Sequence, residues 1–198
     1  MIFSEVLGIK CHGCGKKIKF NTFLCESCIK KIKNPEVTYI GFNVYHYGKY
    51  TELLKELIIK YKFSGYEGLK KLFGNFLTES ILNNTENIND FEITYIPSSE
   101  KSIRKKGFIP AKIIAEEISA DLNIKLTEIF SSGAKKEQVK ITSDKRETNV
   151  SGKFVLKNHI PKKLIIIDDV FTTGSSMKEA FRLLNSQCEV VGFTVAKA

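Results

Sequence analysis

The hydrophobic positions after Pro35 follow two different repeats along the chain. Residues 37–47 alternate apolar and polar positions on either side of Gly41, which predicts two short strands joined by a turn. Two later stretches carry apolar residues three and four positions apart, as on one face of a helix. They predict a helix over residues 50–62 and a second helix over 69–81, with the sequence SGYEG as the break between them.

From residue 93 the pattern alternates between short apolar runs and helical stripes. The runs predict strands at Ile93–Ile96, Leu164–Ile167 and Val190–Val195, and the stripes predict helices at Ala111–Leu122 and Ser176–Asn185. Strands that alternate with helices build a mainly parallel sheet covered by helices. The predicted fold class is therefore α/β.

One stretch inside this pattern has little periodicity. Residues 131–152 are rich in charge and contain two glycines, and an irregular segment of that length within a compact domain is usually functional or disordered. We therefore expect a mobile loop over about residues 131–152.

Composition adds the expected size and charge of the fold. The chain has 198 residues, of which 42% are hydrophobic and 27% charged, and this fits one α/β domain with a small additional module. It carries 31 Lys and Arg against 22 Asp and Glu, a net charge of +9. Such an excess favours nucleic acid or phosphorylated small molecules as partners, although a lysine-rich solvated surface gives the same balance.

The apolar runs and the first residues indicate the compartment. No run reaches the roughly 20 apolar residues of a transmembrane helix. The first ten residues, MIFSEVLGIK, include a glutamate and lack the basic start of a signal peptide. The sequence therefore predicts a cytoplasmic protein.

Four of the five cysteines form two close pairs near the N-terminus. Residues 11–28 read CHGCGKKIKFNTFLCESC, which is two C-x2-C pairs separated by ten residues. In a reducing compartment such pairs more often bind metal than form disulfides, and four thiolates complete the tetrahedral shell of a structural zinc ion. The predicted ligands are Cys11, Cys14, Cys25 and Cys28. An iron–sulfur cluster, disulfides, or His12 in place of one cysteine remain alternatives.

The cysteine segment defines the expected division of the chain. We assign residues 1–35 to a four-cysteine zinc module and residues 36–198 to the α/β domain. Lysines around the module, among them Lys16, Lys17 and Lys19, either balance the charge of a zinc–thiolate centre or contact a polyanion.

The segment with the clearest chemistry reads LIIIDDVFTTGSSMKEA, residues 164–180. A buried strand leads into two acids, a turn of small residues and an amphipathic helix. Ligands of parallel sheets lie beyond the carboxyl ends of the strands, and successive amides at a helix N-terminus bind anions. The turn therefore predicts a phosphate site, with Asp168 and Asp169 placed to accept hydrogen bonds from sugar hydroxyls and to orient hydrated magnesium.

This segment resembles the 5-phosphoribosyl-1-pyrophosphate (PRPP) motif of type I phosphoribosyltransferases. The resemblance implies a type I phosphoribosyltransferase-like domain that binds PRPP together with Mg²⁺, with Asp168 and Asp169 on the ribose hydroxyls. The residues implied to hold the 5′-phosphate are Thr172, Thr173, Gly174, Ser175 and Ser176. In an active transferase, Ser98 and Ser99 would cradle the pyrophosphate.

A wider set of motifs resembles the ComF family of bacterial competence proteins. The set comprises the four-cysteine knuckle, residues 96–118, residues 137–154 and the sequence DDVFTTG. Where that family commonly has Arg-Gly-Phe-Asn-Gln, this chain has KGFIP at residues 106–110, so it lacks those Arg, Asn and Gln side chains. The family's Gln, Arg, Asn and Gly-x-Phe positions are matched by Gln138, Arg146, Asn149, Gly152 and Phe154.

The ComF resemblance implies a competence factor for DNA uptake in natural transformation that binds single-stranded DNA. Such a protein would act beside a competence helicase on the cytoplasmic side of the inner membrane. The basic residues expected to follow a phosphate backbone are Arg104, Lys105, Lys106, Lys135, Lys136 and Arg146.

The alternative function is catalysis by a phosphoribosyltransferase whose acceptor the sequence does not identify. The same basic residues would then hold magnesium pyrophosphate as the leaving group, and the loop at 131–152 would close to exclude water. Pyrophosphate release that depends on the two aspartates distinguishes this function from DNA binding alone.

Overall fold

The computed structural model describes residues 9–19, 22–64, 67–132, 154–156, 160–184 and 187–198. The chain begins with β1 (Ile9–Lys10), β2 (Lys17–Ile18), α1 (Glu26–Ile32), β3 (Glu36–Tyr39) and β4 (Asn43–Lys49). It continues with α2 (Glu52–Ser64), α3 (Glu67–Asn84), β5 (Glu92–Tyr95), α4 (Glu100–Lys106) and α5 (Pro110–Leu122). The last elements are β6 (Phe130–Ser132), β7 (Phe154–Leu156), β8 (Lys163–Phe171), α6 (Ser175–Leu184) and β9 (Glu189–Lys197). Within these described ranges no helix has the length and apolar character needed to cross a membrane.

A five-stranded sheet in the order β3-β4-β9-β8-β5 forms the centre of the fold. β4, β9, β8 and β5 run parallel to one another, and β3 pairs antiparallel with β4 at one edge. The turn between β3 and β4 contains Gly41 with a φ of +105°, a conformation that glycine adopts without a steric cost. The predicted α/β fold with a mainly parallel sheet is confirmed.

β8 explains why an uninterrupted aliphatic run becomes a central strand. Leu164 and Ile166 belong to an apolar core that includes residues of α6, β6 and β7. Ile165 and Ile167 belong to a second core, on the other side of the sheet, that includes residues of α2, α3 and α5. Because both faces of the strand are buried over Leu164–Ile167, every position there is apolar and the alternation of a half-exposed strand is absent.

α2 and α3 cover one side of the sheet, and α2 positions the functional site. α2 buries Leu54, Ile58 and Tyr61, part of the stripe that predicted the helix. At its beginning, Leu53 lies against Gly13 of the cysteine segment. At its end, Lys62 contacts Asp169 of β8. One helix therefore leads from the cysteines to the acids.

The structure differs from the predicted elements around the site. β8 does not end at Ile167 but continues through both acids to Phe171, because its pairing with β9 continues to the same point. A short helix, α4, follows β5 where the sequence pattern predicted none. Residues 131 and 132, which the sequence assigns to the mobile loop, are the end of β6. The remainder of that loop, residues 133–152, lies outside the described residues.

Candidate functional site

A tight loop follows β8 and leads directly into α6. Gly174 in this loop has a φ of +72°, and a Cβ atom there would lie 2.6 Å from the ring of Phe171. Glycine alone meets both conditions, since it tolerates the left-handed backbone and adds no side chain. The amide of Ala198 donates to the Phe171 carbonyl at 2.9 Å, and the amide of Lys178 donates to the Gly174 carbonyl at 2.8 Å. Both ends of the loop are therefore fixed.

The loop lines a small cleft of about 210 Å³ that also includes Asp168, Val170 and the first turn of α6. Thr172 and Ser175 line this cleft and are exposed, and Ser175 is the first residue of a ten-residue helix. Helix N-termini attract anions because the first amides have no partner within the helix. The donors at this cleft suit a single phosphoryl group.

The two acids lie on opposite sides of β8, because successive side chains of a strand alternate. Asp168 lies on the side of the loop and lines the cleft, whereas Asp169 lies on the side of α2. The amide of Asp169 donates to Oδ1 of Asp168 at 2.8 Å. Burial and the neighbouring Asp169 carboxylate raise the pKa of Asp168 to about 8, although Lys62 and Lys106 oppose this rise.

Two lysines from separate helices face the acids. Nζ of Lys62, in the last turn of α2, lies 2.9 Å from Oδ2 of Asp169, and both side chains are less than one fifth exposed. Lys106, at the end of α4, has its pKa lowered by burial and by Lys62 and raised by the two aspartates. Lys106 was among the predicted residues, but Lys62 was not. No local motif marks Lys62, because its partner is far away in the sequence.

The other predicted basic residues have different surroundings. Arg104 is 83% exposed and pairs with Glu100 of its own helix at 3.7 Å. Lys105 lies over the ring of Phe63, with 5.1 Å between Nζ and the ring centroid. The structure therefore brings Lys106 to the acids and leaves Arg104 in solvent. The predicted residues Lys135, Lys136 and Arg146 lie outside the described residues.

The predicted serines lie at the carboxyl end of β5, next to β8. The amide of Ile96 donates to the Ile167 carbonyl at 2.9 Å, so the segment that begins at Ile96 runs beside the acids. Ser98 is half-buried. Ser99 caps α4, because its hydroxyl accepts from the amide of Ser102 at 3.3 Å. The position of both serines agrees with a site that extends from the loop toward α4.

The four N-terminal cysteines form a second candidate site. Their Sγ atoms all lie within 4.8 Å of one another, and those of Cys14 and Cys25 are 3.6 Å apart. At a Zn–S distance of about 2.3 Å, tetrahedral geometry separates two sulfurs by roughly 3.8 Å. All five cysteines are described and none forms a disulfide. The cluster is compatible with a metal ion such as zinc.

Hydrogen bonds favour the thiolate form of two of the cysteines, Cys11 and Cys25. The amides of Cys25 and Gly13 donate to Sγ of Cys11 at 3.3 and 3.4 Å. Burial alone raises the pKa of Cys11, but these amide bonds outweigh it, so that the pKa is lowered. A hydrogen bond from Ser27 lowers the pKa of Cys25 to about 6. Thiolates are the form that binds metal.

The cysteine segment packs into the same core as the helices of the body. Cys11 and Cys28 are 3% and 2% exposed and belong to the core formed with α2 and α3. A Cβ atom on Gly68 of α3 would lie 2.0 Å from the ring of Phe23. Loss of the cluster would therefore disturb α2 and α3 as well.

Comparison with known proteins gives a matching family model and two similar curated proteins. The family model described as "Phosphoribosyl transferase domain" matches residues 102–196. The chain is 27% identical to Competence protein ComFC of Streptococcus pneumoniae over 140 residues, which cover 68% of this chain and 58% of that protein. It is 24% identical to Competence protein F of Haemophilus influenzae over 183 residues, which cover 88% of this chain and 77% of that protein. The chain thus spans less than two thirds of the length of the ComFC relative.

Two solved structures share features of the fold. UMP synthase of Leishmania donovani is 19% identical, with a TM-score of 0.39 over 72% of this chain and 24% of that chain. Adenine phosphoribosyltransferase of Leishmania tarentolae is 16% identical, with a TM-score of 0.44 over 80% of this chain and 79% of that chain.

Proposed function

We propose, from the match of residues 102–196 to the phosphoribosyl transferase domain model and from the similarity to two competence proteins, that this chain is a DNA-uptake factor that binds PRPP and single-stranded DNA. One observation carries the PRPP part of this proposal. The small anion cleft after β8 shares Asp168 with the pair of acids, so donors for a phosphate and acceptors for sugar hydroxyls lie side by side.

Each part of the ligand has its own group of residues in this proposal. The 5′-phosphate binds the amides and hydroxyls of residues 172–176, because the helix N-terminus and the threonine and serine hydroxyls supply donors there. The ribose hydroxyls donate to Asp168 and Asp169. The pyrophosphate lies toward Ser98, Ser99 and Lys106, which border the acids on the α4 side.

Magnesium enters the proposal as a companion of the pyrophosphate. Mg²⁺ is commonly held by substrate phosphates together with one or two carboxylates, and not by a protein cage. Its chemistry would be to neutralise the charge of the pyrophosphate oxygens. In the structure the Lys62 ammonium occupies Oδ2 of Asp169, so this oxygen does not fit a directly bound divalent ion.

Charge and position support the DNA-binding part. The net charge is +9, and the cysteine segment exposes a group of lysines. This group comprises Lys16, Lys17, Lys19, Lys30, Lys31 and Lys33. A single strand that followed α2 would pass from these lysines to Lys105 and Lys106 at the other end of the helix. We place the protein beside a competence helicase on the cytoplasmic side of the membrane, as the ComF resemblance implies.

The cysteine cluster has a structural role in the proposal. Four thiolates leave no open position for a catalytic water, so a zinc ion there would be structural. Its contribution would be to fix the lysine-bearing segment against α2.

Titrations of labelled oligothymidine and PRPP, separately and together, test the proposed function. The variants are Asp169→Asn and a matched control, Asp121→Asn, at an exposed aspartate of α5. We expect the wild type and the control to bind both ligands, and Asp169→Asn to bind PRPP about 10- to 100-fold more weakly, since it loses a hydrogen bond to a charged group. DNA affinity should fall steeply with salt.

Each half of the proposed function has its own contradicting result. Absence of PRPP binding by the wild type would refute the ligand assignment, and salt-independent binding of oligothymidine would refute the role of the lysines. Competition between the two ligands would indicate one shared site. Pyrophosphate release from PRPP that requires Asp168 and Asp169 would favour the catalytic alternative over binding alone.

A further inference from the structure

The contact between Lys62 and Asp169 joins the helical layer to the acids. Nζ of Lys62 lies 2.9 Å from Oδ2 of Asp169, with the side chains 19% and 14% exposed. A partly buried pair at this distance is screened by water much less than a surface pair. The ammonium therefore remains in position as the counter-ion of this carboxylate.

The surrounding packing fixes the end of α2 at this position. The hydroxyl of Tyr61 donates to the Pro110 carbonyl at 2.8 Å, and Tyr61 is 3% exposed. Its ring packs edge-on against Phe73 and Phe108, with centroids 5.4 and 5.7 Å away. Since Lys62 follows Tyr61 directly, these contacts hold its backbone beside β8.

A divalent cation and the ammonium require the same oxygen. Mg²⁺ binds carboxylate oxygens at about 2.0–2.1 Å, so an ion on Oδ2 of Asp169 would have to displace Lys62. Lys106 is a second cation near the acids: burial and Lys62 lower its pKa, and both aspartates oppose that shift. The protein thus supplies the positive charge at the acids from its own side chains.

We propose that Lys62 is the built-in counter-ion of Asp169 and takes the place of a divalent cation bound directly by that carboxylate. The sugar of a phosphoribosyl ligand then binds to Asp168 and Asp169 without a metal. This inference rests on the proposed ligand, but its first test uses a metal alone and is independent of that ligand.

The first test is a titration of the zinc-loaded protein with Mn²⁺, followed by water-proton relaxation. We expect the wild type to show no Mn²⁺ site that depends on Asp169, and Lys62→Met to gain a site at least about tenfold tighter, because the acids lose their nearest positive charge. Adding Asp169→Asn to Lys62→Met should abolish that site. If the wild type binds Mn²⁺ through Asp169 as tightly as Lys62→Met does, the proposal is overturned.

The second test is calorimetric titration with ribose 5-phosphate, with and without MgCl2. In PRPP the pyrophosphate group binds magnesium itself, and ribose 5-phosphate lacks that group. If ribose 5-phosphate needs MgCl2 to bind, the metal is therefore needed at the two aspartates. We expect wild-type affinity to be independent of MgCl2, and Lys62→Met to bind about tenfold more weakly until MgCl2 restores binding. Wild-type binding that requires MgCl2, or Lys62→Met binding that MgCl2 does not restore, would contradict the proposal.

Control variants separate charge from folding. Lys62→Arg keeps the charge and should behave as the wild type does in both tests. Lys55→Met removes an exposed lysine of the same helix and should leave the binding of Mn²⁺ and of ribose 5-phosphate unchanged. Melting curves establish that each variant is folded. If neither the wild type nor any variant binds ribose 5-phosphate, the proposed function fails. The Mn²⁺ titration still decides the role of Lys62 in that case.

Discussion

The four-cysteine cluster and the acidic site, where we propose that a phosphate binds, are assembled in different ways. The cluster takes all four sulfurs from one segment, residues 11–28, and it is closed and partly buried. The acidic site combines β8 and its loop with Lys62 of α2 and Lys106 of α4. A closed site of local residues suits a permanent structural ion, whereas an open site built from several elements suits a ligand that binds and leaves.

The largest expected effect comes from opening the cluster. Cys28→Ser replaces a ligand that is 2% exposed and belongs to the core shared with α2 and α3. We expect the variant to lose bound zinc and to unfold with at least about 3 kcal/mol less stability, because structural zinc contributes folding free energy directly. Metal analysis and denaturant unfolding, with and without a chelator, measure both effects.

Cys188→Ser is the matched control for this change. Cys188 is half-buried, lies outside the cluster and packs against the other core. Its substitution should leave the metal content unchanged and cost far less stability. If Cys28→Ser retains full metal content and stability, the cluster is not a structural metal site and the contrast between the two regions fails.

The difference between the two regions also determines what the sequence could predict. The cysteine quartet and the loop at residues 172–176 are local motifs, so their spacing was sufficient to identify them. The aliphatic run of β8 also predicted a buried strand, because a strand segment that is buried on both faces needs apolar residues at successive positions. Each of these features depends on neighbours in the sequence.

Features that depend on tertiary contacts could not be predicted in this way. β8 continues through the acids because β9 pairs with it as far as Phe171 opposite Lys197. Lys62 reaches Asp169 because the packing of Tyr61 holds the end of α2 beside β8. The pattern of α2 identified its buried face but gave no indication of its partner.

Two glycines, one in each region, have nearly the same backbone angle but different surroundings. Gly174 in the phosphate loop has a φ of +72°, and Gly15 in the cysteine segment has a φ of +73°. A Cβ on Gly174 would lie 2.6 Å from the Phe171 ring, whereas a Cβ on Gly15 would have nothing within 4 Å. Gly15→Ala should cost about 1 kcal/mol for its backbone angle. Gly174→Ala should cost about 2–4 kcal/mol, because the overlap with Phe171 adds to it.

Urea unfolding of both alanine variants measures this difference. Titration of Gly174→Ala with PRPP should also show weaker binding, because the amides of the loop are displaced together with the backbone. Equal stability losses in the two variants would indicate that Phe171 yields to the new side chain and that the loop is less tightly fixed than the structure indicates.

A further expected effect concerns the sheet beneath both regions and becomes visible only in acid. His46 of β4 is 1% exposed, and its ring nitrogens lie 2.7 Å from Oγ1 of Thr194 and 2.9 Å from Oγ1 of Thr38. Burial and the charge of Lys197 lower the pKa of His46 to about 4, although Glu36 opposes the shift. The ring also packs on Phe171, with centroids 4.8 Å apart, so His46 supports the residue that anchors the phosphate loop.

The sign of the pH effect follows from the direction of this shift. The unfolded chain protonates His46 near pH 6.5 while the folded protein resists protonation to about pH 4, so the stability is complete above pH 6.5 and is lost as the pH falls toward 4. At pH 5 the loss should be about 2 kcal/mol. Replacing His46 by Gln removes this component, whereas the acid sensitivity of any metal bound by the four cysteines would be common to both proteins. The difference in unfolding free energy between wild type and His46→Gln should therefore change by about 2 kcal/mol between pH 7 and pH 5. If this difference is the same at both pH values, His46 does not link the stability of the sheet to pH.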